Sequence, residues 1–275
     1  ADEALGQGVA PFDYVILGVK AWQVAEAARD AARLLSPLGC VVTTQNGVEA
    51  ASQAGEAVGF QRVLGGIAKV ITFVAEPGVV EMQARPAIFQ FGEVFHVDGA
   101  VSHSAESARA ERLVAAFAGC EGVTCGLPPA SMWRAIWEKA LIMCCAGPVG
   151  ALTRAPMEQI CGTPETRQLL RAAMLEVGSC ATAEGHFPEG HAAAVVDEVL
   201  AVLTAQAAKQ PGLTFSTLRD VVGGRPSELN ELAGAVVRAG RRLGVPTPTL
   251  DLVFGALLPQ ERRARGEAPY DLMGV

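Results

Sequence analysis

The chain has 275 residues, half of them apolar and 19% charged, with a formal net charge of −7. That apolar fraction supports a buried core and excludes a disordered chain, and no Lys/Arg run exists that would grip a phosphate backbone, so nucleic acid is excluded as a partner. An acidic surface also repels an anionic membrane, and the scarcity of aromatics (5%) favours α/β packing over a β-sandwich.

Residues 12–19, Phe-Asp-Tyr-Val-Ile-Leu-Gly-Val, read as a strand covered on both faces, closed by Lys20. Residues 21–35 are helical and stop at Ser36-Pro37. Residues 40–44 form a second strand ending at Gln45-Asn46-Gly47, residues 48–58 a second helix, and residues 63–73 a third strand. This alternation is that of a doubly wound sheet. Residues 79–84 and 87–91 then read as an antiparallel pair on the far edge, 106–118 as a helix, and Val123-Thr124 as a last short strand. After Leu127-Pro128-Pro129 the strands stop. Residues 131–143, 165–183, 191–208 and 228–243 carry helical periodicity, and 259–275 read as a loosely held tail. The expectation is a Rossmann-like domain over 1–128, an all-α domain over 129–260 and a loosely ordered tail over 261–275.

A dinucleotide fold is usually announced by G-x-G-x-x-G at its first strand–helix turn, where backbone amides meet the pyrophosphate. Here Gly6-Gln7-Gly8 is followed by Pro11 where the third glycine would stand, and it reads as a plain loop. The chain therefore reads as a sheet domain whose first βαβ unit is missing. The seven cysteines form no C-x-x-C pair, and Cys144 and Cys145 are adjacent, a poor geometry for a disulfide. Reduced, mostly buried thiols are expected, hence a cytoplasmic protein, and no metal site is assigned. The start Ala-Asp-Glu has no signal pattern. The apolar run 140–152 is short for a bilayer and contains Gly147-Pro148, so it reads as a buried core helix.

Only four of the 22 basic residues are lysines: Lys20, Lys69, Lys139 and Lys209. Arg serves wherever a permanent charge suffices, so a retained Lys marks a position where a titratable amine is useful. Lys20 and Asn46 sit at the carboxyl ends of neighbouring strands, where open α/β sheets bind ligands; for Asn46-Gly47 the plainer reading is a tight turn. Lys139 shares a helical stripe with Met143 and Gly147. An amine in such an apolar setting loses charge readily, as a general acid working near neutrality requires; the alternative is a snorkelling lysine paired with a carboxylate. Ser216, Asp220, Ser227 and Glu228 read equally well as helix caps and first-turn acids.

In order and spacing, Lys20-Ala21-Trp22-Gln23, Gln45-Asn46-Gly47-Val48, Trp137-Glu138-Lys139, Ser216-x-x-x-Asp220, Ser227-Glu228 and Gly244-Val245-Pro246-Thr247-Pro248 resemble the ketopantoate (2-dehydropantoate) reductase family over residues 12–258. The resemblance implies reduction of a 2-keto acid by NADPH, ketopantoate to pantoate in pantothenate biosynthesis. Lys139 would be the catalytic acid and Ser216 and Asn46 would hold substrate. Lys20, Asn46 and Glu228 would line the cofactor. The family carries asparagines one and two turns after the lysine; here those positions are Met143 and Gly147, which shifts specificity away from ketopantoate. Two other readings are a related hydroxyacid dehydrogenase with another substrate, and a non-catalytic binding protein of the same fold. The helical half is the candidate face for a homodimer, and no heptad repeat marks it.

Overall fold

A computed structural model describes residues 11–82, 86–96 and 98–267, without the side chain of Phe73. Gly6-Gln7-Gly8, Ala84 and residues 268–275 of the expected tail lie outside the described residues. The chain forms two compact units: Ala1–Gln45 with Glu49–Ile136, and Asn46–Val48 with Trp137–Val275. The boundary thus falls inside a helix, eight residues beyond the expected break at 128, and it returns the Asn46 turn to the second unit.

In the first unit β1 (Phe12–Ile16), β2 (Leu35–Val42) and β3 (Val63–Lys69) pair in parallel. A one-turn 3₁₀ helix (Ala21–Gln23) and α1 (Val24–Ala32) form the first crossover, and α2 (Ala50–Val58) the second. β2 starts earlier than Cys40. Between Phe12↔Leu35 and Tyr14↔Cys40 the register jumps, and the excess residues hold Pro37, which has no amide to donate, and Leu38, 92% exposed. The extended stretch 63–73 is two strands, because the chain leaves the sheet after Lys69. β4 (Thr72–Glu76) pairs antiparallel with β5 (Val79–Met82) in a separate hairpin. β6 (Ala87–Glu93) returns antiparallel to β3, and β7 (Val123–Gly126) lies parallel to β6. The expected pairing of 79–84 with 87–91 is therefore wrong: β5 pairs within the excursion with β4, and β6 pairs with β3, the strand before it. The sheet is mixed, in the order β1-β2-β3-β6-β7.

Its core joins Cys40, Val42, Leu64 and Phe91 to Ala110 and Leu113 of α3 (Ala108–Ala116), with Phe89, Phe117 and Tyr14 around them. The Phe91 and Phe117 rings are 5.4 Å apart. Each buried side chain of this size contributes about 1.5–3 kcal/mol. Ser107 caps α3 by accepting from the Ala110 amide, and its hydroxyl donates to Glu93 at 2.6 Å. Arg109 donates two hydrogen bonds to the same carboxylate and a third to the Gln61 carbonyl, locking α3 to the sheet.

The second unit is helical. α4 (Met132–Met143) enters it and breaks at Cys144-Cys145; α5 (Ala146–Thr153) and α6 (Met157–Gly162) follow. The run Met132–Thr153 is long and apolar enough to cross a membrane by length and composition, but 67% of its most apolar window is buried, as in a core helix. α7 (Pro164–Ala183) and α8 (Ala192–Lys209) pack together, and α9 (Ser216–Val222) packs on α5. α10 (Ala233–Leu243) packs on α11 (Pro248–Ala264). Glu176 of α7 caps α11 by accepting from the Thr249 and Leu250 amides at 2.7 and 2.9 Å.

Two expectations are corrected here. Residues 228–232 form turns, with the helix starting at Ala233. Residues 259–264 are helix, not tail. Glu261 is buried and accepts from the Ser227 amide and hydroxyl and from Arg265, so the end of α11 is tied down across 34 residues of sequence. All seven cysteines are free, and burial pushes the Cys40 and Cys180 thiols up to about 11.

Candidate active site

At the carboxyl end of the sheet, the Leu17 amide donates to the Val42 carbonyl, extending the β1–β2 ladder. Gln45 then staples the two strand ends. Its amide nitrogen donates to the Leu17 carbonyl at 2.7 Å and to the Val19 carbonyl at 3.1 Å, while the Thr44 hydroxyl donates to Leu17. Lys20 is exposed just beyond, and its ammonium lies 5.8 Å from the centre of the Trp22 ring. A side chain at Gly18 would meet nothing within 4 Å. An open strand end bearing a fixed cation suits a phosphate-rich cofactor. Gln45 lay in the motif without a role; its structural task depends on a neighbouring strand and is invisible locally.

Asn46, Lys139, Ser216 and Glu228 all belong to the second unit, and Lys20 to the first. Within the second unit they fall in two parts of the fold: the turn at 46–48 with residues 228–232, and the helices of Lys139 and Ser216. The Asn46–Gly47–Val48 turn closes on residues 231–232. Gly47 has φ +93°, and a Cβ there would lie 2.5 Å from the Glu231 carbonyl oxygen, so only glycine fits. Glu228 is buried in the turn that begins three residues earlier, and its carbonyl accepts from the Glu231 and Leu232 amides. Gly47, next to Asn46, and Glu228 thus both abut the backbone of Glu231.

Lys139 stands on α4, and Ser216 on α9, which packs on α5. Lys139 is half-buried on α4, one turn from the half-buried Met143. Trp137 is 1% exposed beneath it in sequence, its ring stacked 6.5 Å from His186. The helical stripe does not run straight to residue 147, because the break at Cys144-Cys145 intervenes. Gly147 lies on α5 against α9. A Cβ there would fall 2.9 Å from Thr217 Oγ1 and 3.1 Å from Thr217 Cβ. The volume of a longer side chain at 147 is therefore filled by Thr217, which is buried beside Ser216. Ser216 is the first residue of α9 and not its cap; Phe215 holds that place. Asp220 accepts from Arg225, and Ser227 Oγ accepts from the Leu229 amide while donating to Glu261. Ser227 and Asp220 are thus structural in their visible bonds.

One acid of this region was missed. Glu231 is 8% exposed; its Oε1 accepts from Asn230 at 3.1 Å, and its Oε2 is buried with no hydrogen-bond partner among the described residues. Burial pushes its pKa up against the opposing pull of Asn230, its own backbone amide and Arg265, with a small upward push from Glu228. Its position three residues after Glu228 was the available signal, but a polar residue in a turn reads as exposed.

The chain matches two family profiles: ketopantoate reductase PanE/ApbA over residues 2–95, and ketopantoate reductase PanE/ApbA C terminal over residues 131–261. A 2-dehydropantoate 2-reductase of Mesorhizobium japonicum is 30% identical over 88% of this chain and 74% of that protein. The crystal structure of 2-dehydropantoate 2-reductase from Methylococcus capsulatus superposes with TM-score 0.77 at 25% identity, over 97% of this chain and 78% of that one. A D-mandelate dehydrogenase in a ternary structure with NADH and anilino(oxo)acetate shares the fold, with TM-score 0.77 at 18% identity over 93% of this chain and 77% of that one. With both halves of the fold matched in order, the chain belongs to the ketopantoate reductase family of oxidoreductases.

Proposed function

We propose that the protein reduces a 2-keto acid to the 2-hydroxy acid with a nicotinamide cofactor, NADPH by preference, and that ketopantoate is the first substrate to try. The observation that carries this reading is Lys139, a half-buried amine on a core helix of a ketopantoate reductase family member, with the Ser216 helix packed on the next helix of the same run. Lys20, Asn46 and Glu228 would hold the cofactor, which when bound supplies the hydride that becomes the new C–H bond at C2. As that bond forms, the carbonyl π pair moves onto oxygen, and the Lys139 ammonium gives its proton to that oxygen. Solvent then reprotonates the amine. Ser216 would donate its hydroxyl to the substrate carboxylate, and Asn46 would donate its side-chain amide to the substrate beside it. The cytoplasm is the proposed compartment, supported by free cysteines with thiols held protonated by burial.

A second reading, a hydroxyacid dehydrogenase for another 2-keto acid, is favoured by one observation: Met143 and the Thr217-filled position at Gly147 give the Lys139 helices no hydrogen-bonding side chain there. Oxidation of NADPH and NADH by the full-length gene product, followed with ketopantoate and a panel of 2-keto acids, separates the two. Lys139→Ala should lower turnover on every accepted substrate by about 10²-fold or more. Parent-like turnover in that variant removes Lys139 from the mechanism.

A further inference from the structure

We propose that Glu231 is a substrate-specificity residue: through Oε2 it hydrogen-bonds a hydroxyl on the side chain of the 2-keto acid. This rests on the activity proposed above and names the substrate class within it.

The argument starts from hydrogen-bond accounting. Four glutamates other than Glu228 are buried: Glu93, Glu176, Glu231 and Glu261. In three of them each carboxylate oxygen accepts from a donor: Ser107 and Arg109 for Glu93, the Thr249 and Leu250 amides for Glu176, Ser227 and Arg265 for Glu261. Glu231 alone of these keeps a buried oxygen without one among the described residues. A buried polar atom left unmade is costly, so its retention calls for a partner that arrives from outside.

Position says which partner. The Glu231 main chain is the surface on which the Asn46–Gly47–Val48 turn closes, and Glu228 stands in the same turn. The side chain is rooted between two residues proposed to line the cofactor and substrate. The charged groups facing it are Glu228 from its own turn and Arg265 from the end of α11. Arg238 of α10 is engaged instead with Asn230, donating to its side-chain oxygen and its carbonyl. Burial, the largest influence, raises the Glu231 pKa against the opposing pull of Asn230, its own backbone amide and Arg265, with Glu228 adding the smallest push. A raised pKa favours the protonated carboxyl, which both donates and accepts and so matches a hydroxyl group better than a second carboxylate. Met143 and Gly147 supply no such pair from the Lys139 helices, so polar recognition of the substrate side chain falls to another element.

The test uses the full-length enzyme with ketopantoate and its des-hydroxy analogue 3,3-dimethyl-2-oxobutanoate. In Glu231→Leu, kcat/KM for ketopantoate should fall about tenfold, mainly through KM, while the analogue stays within about threefold, since only the hydroxyl loses its partner. In Glu231→Gln, whose amide also donates and accepts, most of the preference should return. The parent's KM for ketopantoate should rise as pH passes upward through the raised Glu231 range, and the Gln variant should lack that rise. An unchanged preference in Glu231→Leu, or an equal loss on both substrates, overturns the proposal. Should the parent reduce neither compound, the proposed activity has failed on its own terms. Pantoate binding by calorimetry then decides: weaker binding to Glu231→Leu than to the parent supports the contact, and equal or no binding overturns it.

Discussion

Glu93 in the sheet unit and Glu231 in the helical unit are both 8% exposed, and each accepts from a neutral side-chain donor. Glu93 accepts a hydroxyl and a two-pronged guanidinium, and it fastens a helix to a sheet. Glu231 accepts one side-chain amide, leaves its other oxygen unmade and senses Arg265 only at a distance. The same residue type at the same depth thus serves two ends. Completed bonding turns a buried carboxylate into a fastener. Incomplete bonding leaves burial to raise its pKa and keeps an oxygen open for a ligand.

The contrast is broken most sharply at the fastener. Arg109→Ala strands the Glu93 charge and removes the donor to Gln61, and it should cost about 3–5 kcal/mol in urea unfolding. A loss below about 1 kcal/mol would mean that Glu93 is as loosely held as Glu231.

A smaller effect is expected where the Lys139 helices meet α9. Gly147→Asn forces Thr217 aside and should destabilise by about 1–3 kcal/mol, whereas Met143→Asn, at a half-buried site, should cost about 1 kcal/mol or less. Adding Thr217→Ala to Gly147→Asn should recover part of the loss in a double-mutant cycle. Additive losses would show that Thr217 does not fill that volume.

The smallest effect sharpens the comparison from the other side. The folded-state pKa of Glu231 is raised, so between the unfolded carboxyl range and that raised value the native state binds more protons than the unfolded chain. Stability therefore falls as pH rises through this window. Glu231→Gln removes that fall. It should stabilise the protein at pH 8 by about 1 kcal/mol or less, with little change below pH 4.5. A pH-independent difference in melting temperature would show that Glu231 is not held protonated.

Much of this was readable along the chain. The strand–helix alternation and the later all-helical half follow from the period of the apolar residues, and α7 and α8 begin and end within one residue of where that period places them. Lys139 on a helix and the Asn46-Gly47 turn at a strand end were equally legible, because both depend on near neighbours. What failed was partner choice. Residues 79–82 read as a strand and are one, but whether they pair with 72–76 or 87–91 depends on backbone hydrogen bonds that no local pattern encodes.

The amino-acid order by itself determined element type, the change from mixed α/β to all-α, and the family motifs with their lysine. Tertiary structure decided the antiparallel return of β6, the helix through residue 264, the filling of the space at Gly147 by Thr217, and the state of Glu231. The physical reason is common to all four. Periodicity is set by contacts a few residues apart, whereas burial and hydrogen-bond satisfaction are set by groups tens of residues away, as Ser227 and Glu261 show across 34 positions.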